Sequence, residues 1–172
     1  MNAQRKWDDL APRIISGAAM AVGGLFLVWM GGIWFAALAI VCAGLMIWEL
    51  AAMTDQARPS EAKVLGVLAT LALAVVLLSR NPLYMPLLMV PPLVILLRPK
   101  RPMKLEATVY AAMIMLASYG LVAFREGYGM LWLLWLVLVV VITDVAGYFA
   151  GRVLGGPKFW PAVSPKKTWS GT

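Results

Sequence analysis

Residues 129–150 read GMLWLLWLVLVVVITDVAGYFA, with Asp144 as the one charged side chain. A helix rises about 1.5 Å per residue, so about 20 apolar residues cross the roughly 30 Å of hydrocarbon in a bilayer. The run is long enough, and it predicts a transmembrane helix. Five more apolar segments precede it, at 14–30, 33–53, 64–79, 83–97 and 107–124. The third and fourth are short for a crossing. The fourth also carries Pro86, Pro91 and Pro92, which remove backbone donors that lipid cannot replace. It is expected to be kinked and packed among its neighbours. The fold class is therefore all-α, a polytopic transmembrane helix bundle of about six spans. It forms a single membrane domain over residues 1–172, with residues 152–172 as a cytoplasmic basic segment.

Composition agrees. Hydrophobic residues make up 62% of the chain and charged residues 13%, against roughly half and a quarter in soluble domains. Lys and Arg are sorted by loop. With the N-terminus inside, the cytoplasmic side collects thirteen of the fifteen, and the other side keeps Arg80 and Arg125. Short cytoplasmic loops are enriched in Lys and Arg, so both termini are expected in the cytoplasm. The net charge of +7 sits between apolar segments, which points away from a nucleic-acid partner. The loop RPKRPMK, residues 98–104, reads as a positive-inside anchor that touches anionic lipid. Met1 to Arg13 reads as a polar lead into a retained first span, not as a cleaved signal.

There is no histidine, which removes Ser/His and Cys/His nucleophile arrangements and His-ligated metals. Cys42 is alone and reads as packing. Of the eight acids, Asp8, Asp9, Asp55, Glu61, Glu106 and Glu126 fall in polar ends and loops. Glu49 lies near the end of the second span, where interfacial anchoring and function both remain open. Asp144 stands inside the sixth span, where a carboxylate costs about 2.5–3.5 kcal/mol at the helix centre on insertion scales. Asp144, Tyr148, Gly151, Arg152 and Gly155 recur at helical spacing and fall along one face. This stripe is either a packing face with a buried Asp144–Arg152 pair or part of a site. Beyond it, GGPKFWPAVSPKKTWSGT holds Lys158, Lys166 and Lys167 with no acid. Ser164, Lys166, Lys167 and Thr168 put two hydroxyls and two cations within five residues, the ingredients of a phosphate site. Neither GxxxxGK[ST] nor GxGxxG occurs.

The run DVAGYFAGRVLGGPKFWPAVSPKKTWSG, from Asp144 to Gly171, resembles the stretch DxGAYxxGRxxGxxKxxPxVSPxKTWxG of bacterial CDP-diacylglycerol synthases, the phosphatidate cytidylyltransferases. Asp144, Tyr148, Gly151, Arg152, Gly155, Lys158, Pro161, Ser164, Pro165, Lys167, Thr168, Trp169 and Gly171 keep its order and spacing. DLAPRIISG at residues 9–17 and WELA at 48–51 are weaker echoes. The Gly-Ala before the tyrosine is reversed to Ala146-Gly147. The family pattern also continues through further spans with a Lys-Asp and Asp-Arg signature, so the chain is expected to be its N-terminal portion, truncated. Activity of the 172 residues by themselves is then in question.

The resemblance implies a nucleotidyltransferase that joins CTP to phosphatidate, giving CDP-diacylglycerol and pyrophosphate in phospholipid biosynthesis. Asp144 and Lys167 would be catalytic, with Arg152, Lys158, Ser164, Lys166 and Thr168 binding substrate. Mg²⁺ would be the cofactor, its main ligands lying elsewhere in the longer fold. The expected partners are CTP, phosphatidate and membrane lipids, with a homodimer left open. The expected location is the bacterial inner membrane, with the site on its cytoplasmic side. The rival reading is a non-enzymatic scaffold binding anionic lipid, or a transporter subunit. A CTP-using lipid kinase is a second enzymatic alternative.

Overall fold

The computed structural model describes the backbone of residues 10–160 and 164–169, and the side chains of residues 15–157 and 169. Helices α1 (Leu10–Met30), α2 (Gly32–Thr54) and α3 (Pro59–Ser79) are followed by a 3-10 stretch, Pro82–Met89, that runs into α4 (Val90–Leu97). Then come α5 (Lys104–Tyr128), α6 (Met130–Val153) and two short strands, β1 (Lys158–Trp160) and β2 (Ser164–Thr168). The chain divides into two compact units, Met1–Met130 and Leu131–Thr172. Helices α2, α3, α5 and α6 are long and apolar enough to cross a membrane, and Ile15–Met30 and Pro82–Leu97 are shorter apolar stretches. The chain is a helical integral membrane protein, as its composition predicts.

Two expectations about the spans meet different outcomes. The third helix is not short. It begins at Pro59, five residues before its apolar run, with proline at its start and Glu61 in its first turn. Proline lacks the donor that a first helical turn leaves unpaired anyway, and a carboxylate there complements the helix dipole. The fourth segment is broken as its prolines require. Pro86 sits within the 3-10 stretch, and Pro91 and Pro92 open α4, both buried.

In the first unit the core follows helical spacing: Ile40, Ala43, Ile47 and Ala51 of α2 pack with Leu65, Ala69, Leu73 and Val76 of α3 and with Ala107, Ala111 and Met115 of α5. Lipid is as apolar as these side chains, so helices in a membrane associate through close packing of small residues. The α2–α3 crossing shows this. A Cβ on Gly44 would overlap the Thr70 hydroxyl and stand 3.1 Å from the Gly66 carbonyl oxygen, and one on Gly66 would come within 2.9 Å of the Gly44 carbonyl oxygen. The backbones meet because neither residue has a side chain. Helix α1 is tied differently. The Arg125 guanidinium of α5 donates to the Val28 carbonyl from Nε and Nη2, each at 3.3 Å, and to Trp29 at 3.4 Å. These carbonyls at the end of α1 have no partner within their own helix. Gly31, buried with φ +64°, turns the chain directly beneath that guanidinium.

Candidate functional site

The second unit carries most of the motif. Asp144, Tyr148, Gly151 and Arg152 all belong to α6, but the helix ends at Val153, so Gly155 is not on the face the spacing predicts. Gly155 and Gly156 instead turn the chain with φ +61° and +115°, values that only glycine adopts without strain. Arg152, in the last turn, donates from Nη1 to the Tyr148 hydroxyl at 2.7 Å. Asp144 is exposed, and among the described residues it makes no ion pair with Arg152. The buried Asp144–Arg152 pair is therefore not formed. Eight residues separate the two by about 12 Å along the axis, and Tyr148, one turn away, holds the guanidinium instead. Arg152 is itself exposed.

The basic tail is a hairpin, which the sequence reading missed. Strands β1 and β2 pair antiparallel, with Lys158 opposite Thr168 and Trp160 opposite Ser164 and an irregularity in register between them. The Trp169 backbone N–H donates to the Pro157 carbonyl at 3.1 Å, which closes the hairpin just after the glycine turn. Pairing brings Lys158 and Thr168 to the same rung although ten positions separate them. Ser164, Lys166, Lys167 and Thr168 all fall within β2, so the four residues grouped as a phosphate cradle lie on one short strand. Pro161 and Gly171 of the motif lie outside the described residues.

Charge is also organised in the first unit, where the sequence reading saw only polar ends. Arg101, in the loop read as a lipid anchor, is 5% exposed and donates from Nη2 to the Ala51 carbonyl at 3.0 Å and the Thr54 hydroxyl at 3.1 Å. It turns inward and closes the C-terminal end of α2, which corrects the lipid-anchor reading for this residue. Asp55, also 5% exposed, lies 3.9 Å from Arg58. Glu61 lies 3.8 Å from both Arg58 and Arg98. At the opposite end of the unit, Arg80 faces Glu126 at 3.5 Å. Glu49 is exposed on α2. Among the described residues no three carboxylate or thiol groups gather as a metal cage, and Asp144 is the one acid between residues 131 and 172. Mg²⁺ at nucleotide sites takes one or two carboxylates together with phosphates and waters. Asp144 fits as one such ligand and makes no site by itself.

The last long apolar helix thus runs through a glycine turn into a hairpin whose strands hold Lys158, Lys166 and Lys167. The chain belongs to the cytidylyltransferase family, whose model matches residues 11–172. It is 32% identical over 169 residues to the phosphatidate cytidylyltransferases of Brucella suis biovar 1 and Brucella melitensis biotype 1, an overlap of 95% of this chain and 62% of each relative. It is also 44% identical over 43 residues to the phosphatidate cytidylyltransferase of Staphylococcus haemolyticus, covering 25% of this chain and 16% of that one. The chain thus spans 62% of the length of the Brucella relatives it matches. No solved structure matches it.

Proposed function

We propose that this chain carries the phosphate-handling segment of a phosphatidate cytidylyltransferase. The observation that carries the reading is the family match over residues 11–172, which contains the ordered run from Asp144 to Lys167. In the reaction a phosphatidate phosphate oxygen attacks the α-phosphorus of CTP. A new P–O bond forms, the bond to the β-phosphate breaks, and pyrophosphate leaves with the electron pair. Such transfers depend on positioning and on neutralising charge. Ser164, Lys166 and Thr168 bind phosphate from β2, and Lys167 on the same strand neutralises charge in the transfer. Arg152, steadied by Tyr148, and Lys158 take a lipid or nucleotide phosphate. Asp144 supports the cationic site and offers one oxygen to Mg²⁺. CTP and the phosphatidate headgroup meet at the cytoplasmic face of a bacterial inner membrane.

The test supplies phosphatidate vesicles and CTP labelled in its α-phosphate to a protein that carries this chain at the full length of its relatives. Label appearing in CDP-diacylglycerol, with pyrophosphate released, is the expected result. With CTP labelled instead in its γ-phosphate, label passing to the lipid would establish the lipid-kinase reading. Orientation has its own test. In a Cys42→Ala background, Lys104→Cys should react with an impermeant thiol reagent from the cytoplasmic side alone and Arg80→Cys from the outer side. Arg101 is unsuited as a reporter because it is buried. Labelling of Lys104→Cys from outside would invert the topology.

A further inference from the structure

A groove of about 340 Å³ runs along the first unit between α2 and α3, lined by Val41, Gly44, Leu45, Trp48, Val67 and Thr70 with Lys63 at one end. Its floor is the Gly44–Gly66 crossing, where the two backbones are in contact. The one polar group on that floor is already satisfied, since the Thr70 hydroxyl donates to the Gly66 carbonyl at 2.9 Å. The walls are apolar and exposed: Val41, Leu45 and Val67 are all more than half accessible. In a transmembrane helix pair such walls meet lipid.

The end of the groove differs from its length. Lys63 lies one turn before Val67, toward the loop that joins α2 to α3, and Trp48 stands close beside it on α2, half-exposed. Tryptophan is enriched where hydrocarbon meets headgroups. The cations around Lys63 are engaged: Arg58 faces Asp55 and Glu61, Arg98 faces Glu61, and Arg101 is held by Ala51 and Thr54. Lys63 makes no hydrogen bond or ion pair among the described residues. From Lys63 to Thr70 the groove extends about 10 Å along α3, an apolar slot headed by one unpaired cation.

We propose that the α2–α3 groove binds one acyl chain of an anionic glycerophospholipid, whose phosphate rests on Lys63. The chain lies in the groove over the Gly44–Gly66 crossing, between Val41, Leu45 and Val67, and Trp48 packs at the boundary between glycerol and hydrocarbon. The site belongs to the first unit and does not depend on the cytidylyltransferase reading. Binding requires neither CTP nor turnover, so failure of the transfer assay leaves it standing.

Native mass spectrometry of the full chain in detergent, titrated separately with dioleoyl phosphatidate, phosphatidylglycerol and phosphatidylcholine, reads the site directly. Both anionic lipids should bind about fivefold more tightly than phosphatidylcholine, the increment expected of a single lysine near a membrane surface. Lys63→Gln should abolish the preference for phosphatidylglycerol and Lys104→Gln should leave it intact, while any phosphatidate excess that persists reports the separate site at Arg152 and Lys158. Val67→Trp, which fills the slot from an exposed position, should weaken all three lipids, and glycerol 3-phosphate should displace none of them. Equal binding of phosphatidylglycerol and phosphatidylcholine by the unaltered protein, or a phosphatidylglycerol preference that survives Lys63→Gln, would overturn the proposal. So would unchanged binding in Val67→Trp or displacement by glycerol 3-phosphate, because the occupant would then not be an acyl chain.

Discussion

Replacing Lys167 by alanine in a protein that carries this chain at the length of its relatives should lower the rate of CDP-diacylglycerol formation by two to three orders of magnitude. The estimate follows from the loss of one preorganised electrostatic contact to charge that develops during transfer, worth about 3–4 kcal/mol. Lys104→Ala is the control. Lys104 is exposed at the start of α5, a cationic position beside an apolar helix, and its loss should cost no more than the roughly 1 kcal/mol of a generic attraction to anionic lipid. Lys166 stands beside Lys167 in β2 and is assigned to substrate binding, Lys167 to the transfer itself. Lys166→Ala should raise the KM for CTP or phosphatidate, while Lys167→Ala should lower kcat. If both substitutions and Lys104→Ala produce the same small loss, the hairpin is a lipid-surface contact and the scaffold reading gains. Detergent-extracted yield and thermal stability of each variant separate loss of fold from loss of function.

The membrane character of the chain was legible because lipid imposes a length and a composition that a run such as residues 129–150 displays without help from the rest of the chain. The broken fourth segment was legible for a similar reason, since Pro86, Pro91 and Pro92 delete donors wherever the fold puts them. The α2–α3 crossing was not read, although Gly44 and Gly66 were in view; small residues show where backbones can meet, but not which partner arrives. The hairpin was hidden by Pro161 and Pro165, which argue against a strand in the middle of a sheet. Here β2 pairs with a single neighbour, and an edge position tolerates a proline. Within the site, the order of charged and hydroxyl residues was visible from Asp144 onward. Their placement on a strand paired with Lys158 needed the structure. The end of α6 at Val153 likewise depended on two glycines adopting positive φ. The inward turn of Arg101 was beyond local reading altogether, because its acceptors lie on a helix about fifty positions earlier.

Arg101→Ala should destabilise the detergent-solubilised protein by about 3 kcal/mol or more, read as a lower midpoint in an SDS unfolding titration. Hydrogen bonds from a charged donor contribute about 1.5–3 kcal/mol each, and Arg101 makes two, to the Ala51 carbonyl and the Thr54 hydroxyl. The carbonyl matters more. It lies in the last turn of α2 and also accepts the Asp55 backbone N–H at 3.1 Å, so removal of Arg101 takes its charged donor from an acceptor that keeps a neutral one. Thr54→Val tests the lesser contact and should cost about 1 kcal/mol, because its acceptor is lost while the carbonyl bond persists. The double variant Arg101→Ala/Thr54→Val should then be little worse than Arg101→Ala, since the pair share one interaction and their effects do not add. Arg101→Lys keeps the charge but replaces a rigid planar fork with a single flexible ammonium, and an intermediate loss is expected. Stability of Arg101→Ala within about 0.5 kcal/mol of the unaltered protein, the range of ordinary surface changes, would return this residue to the lipid surface. It would also remove the link between the 98–104 loop and the end of α2.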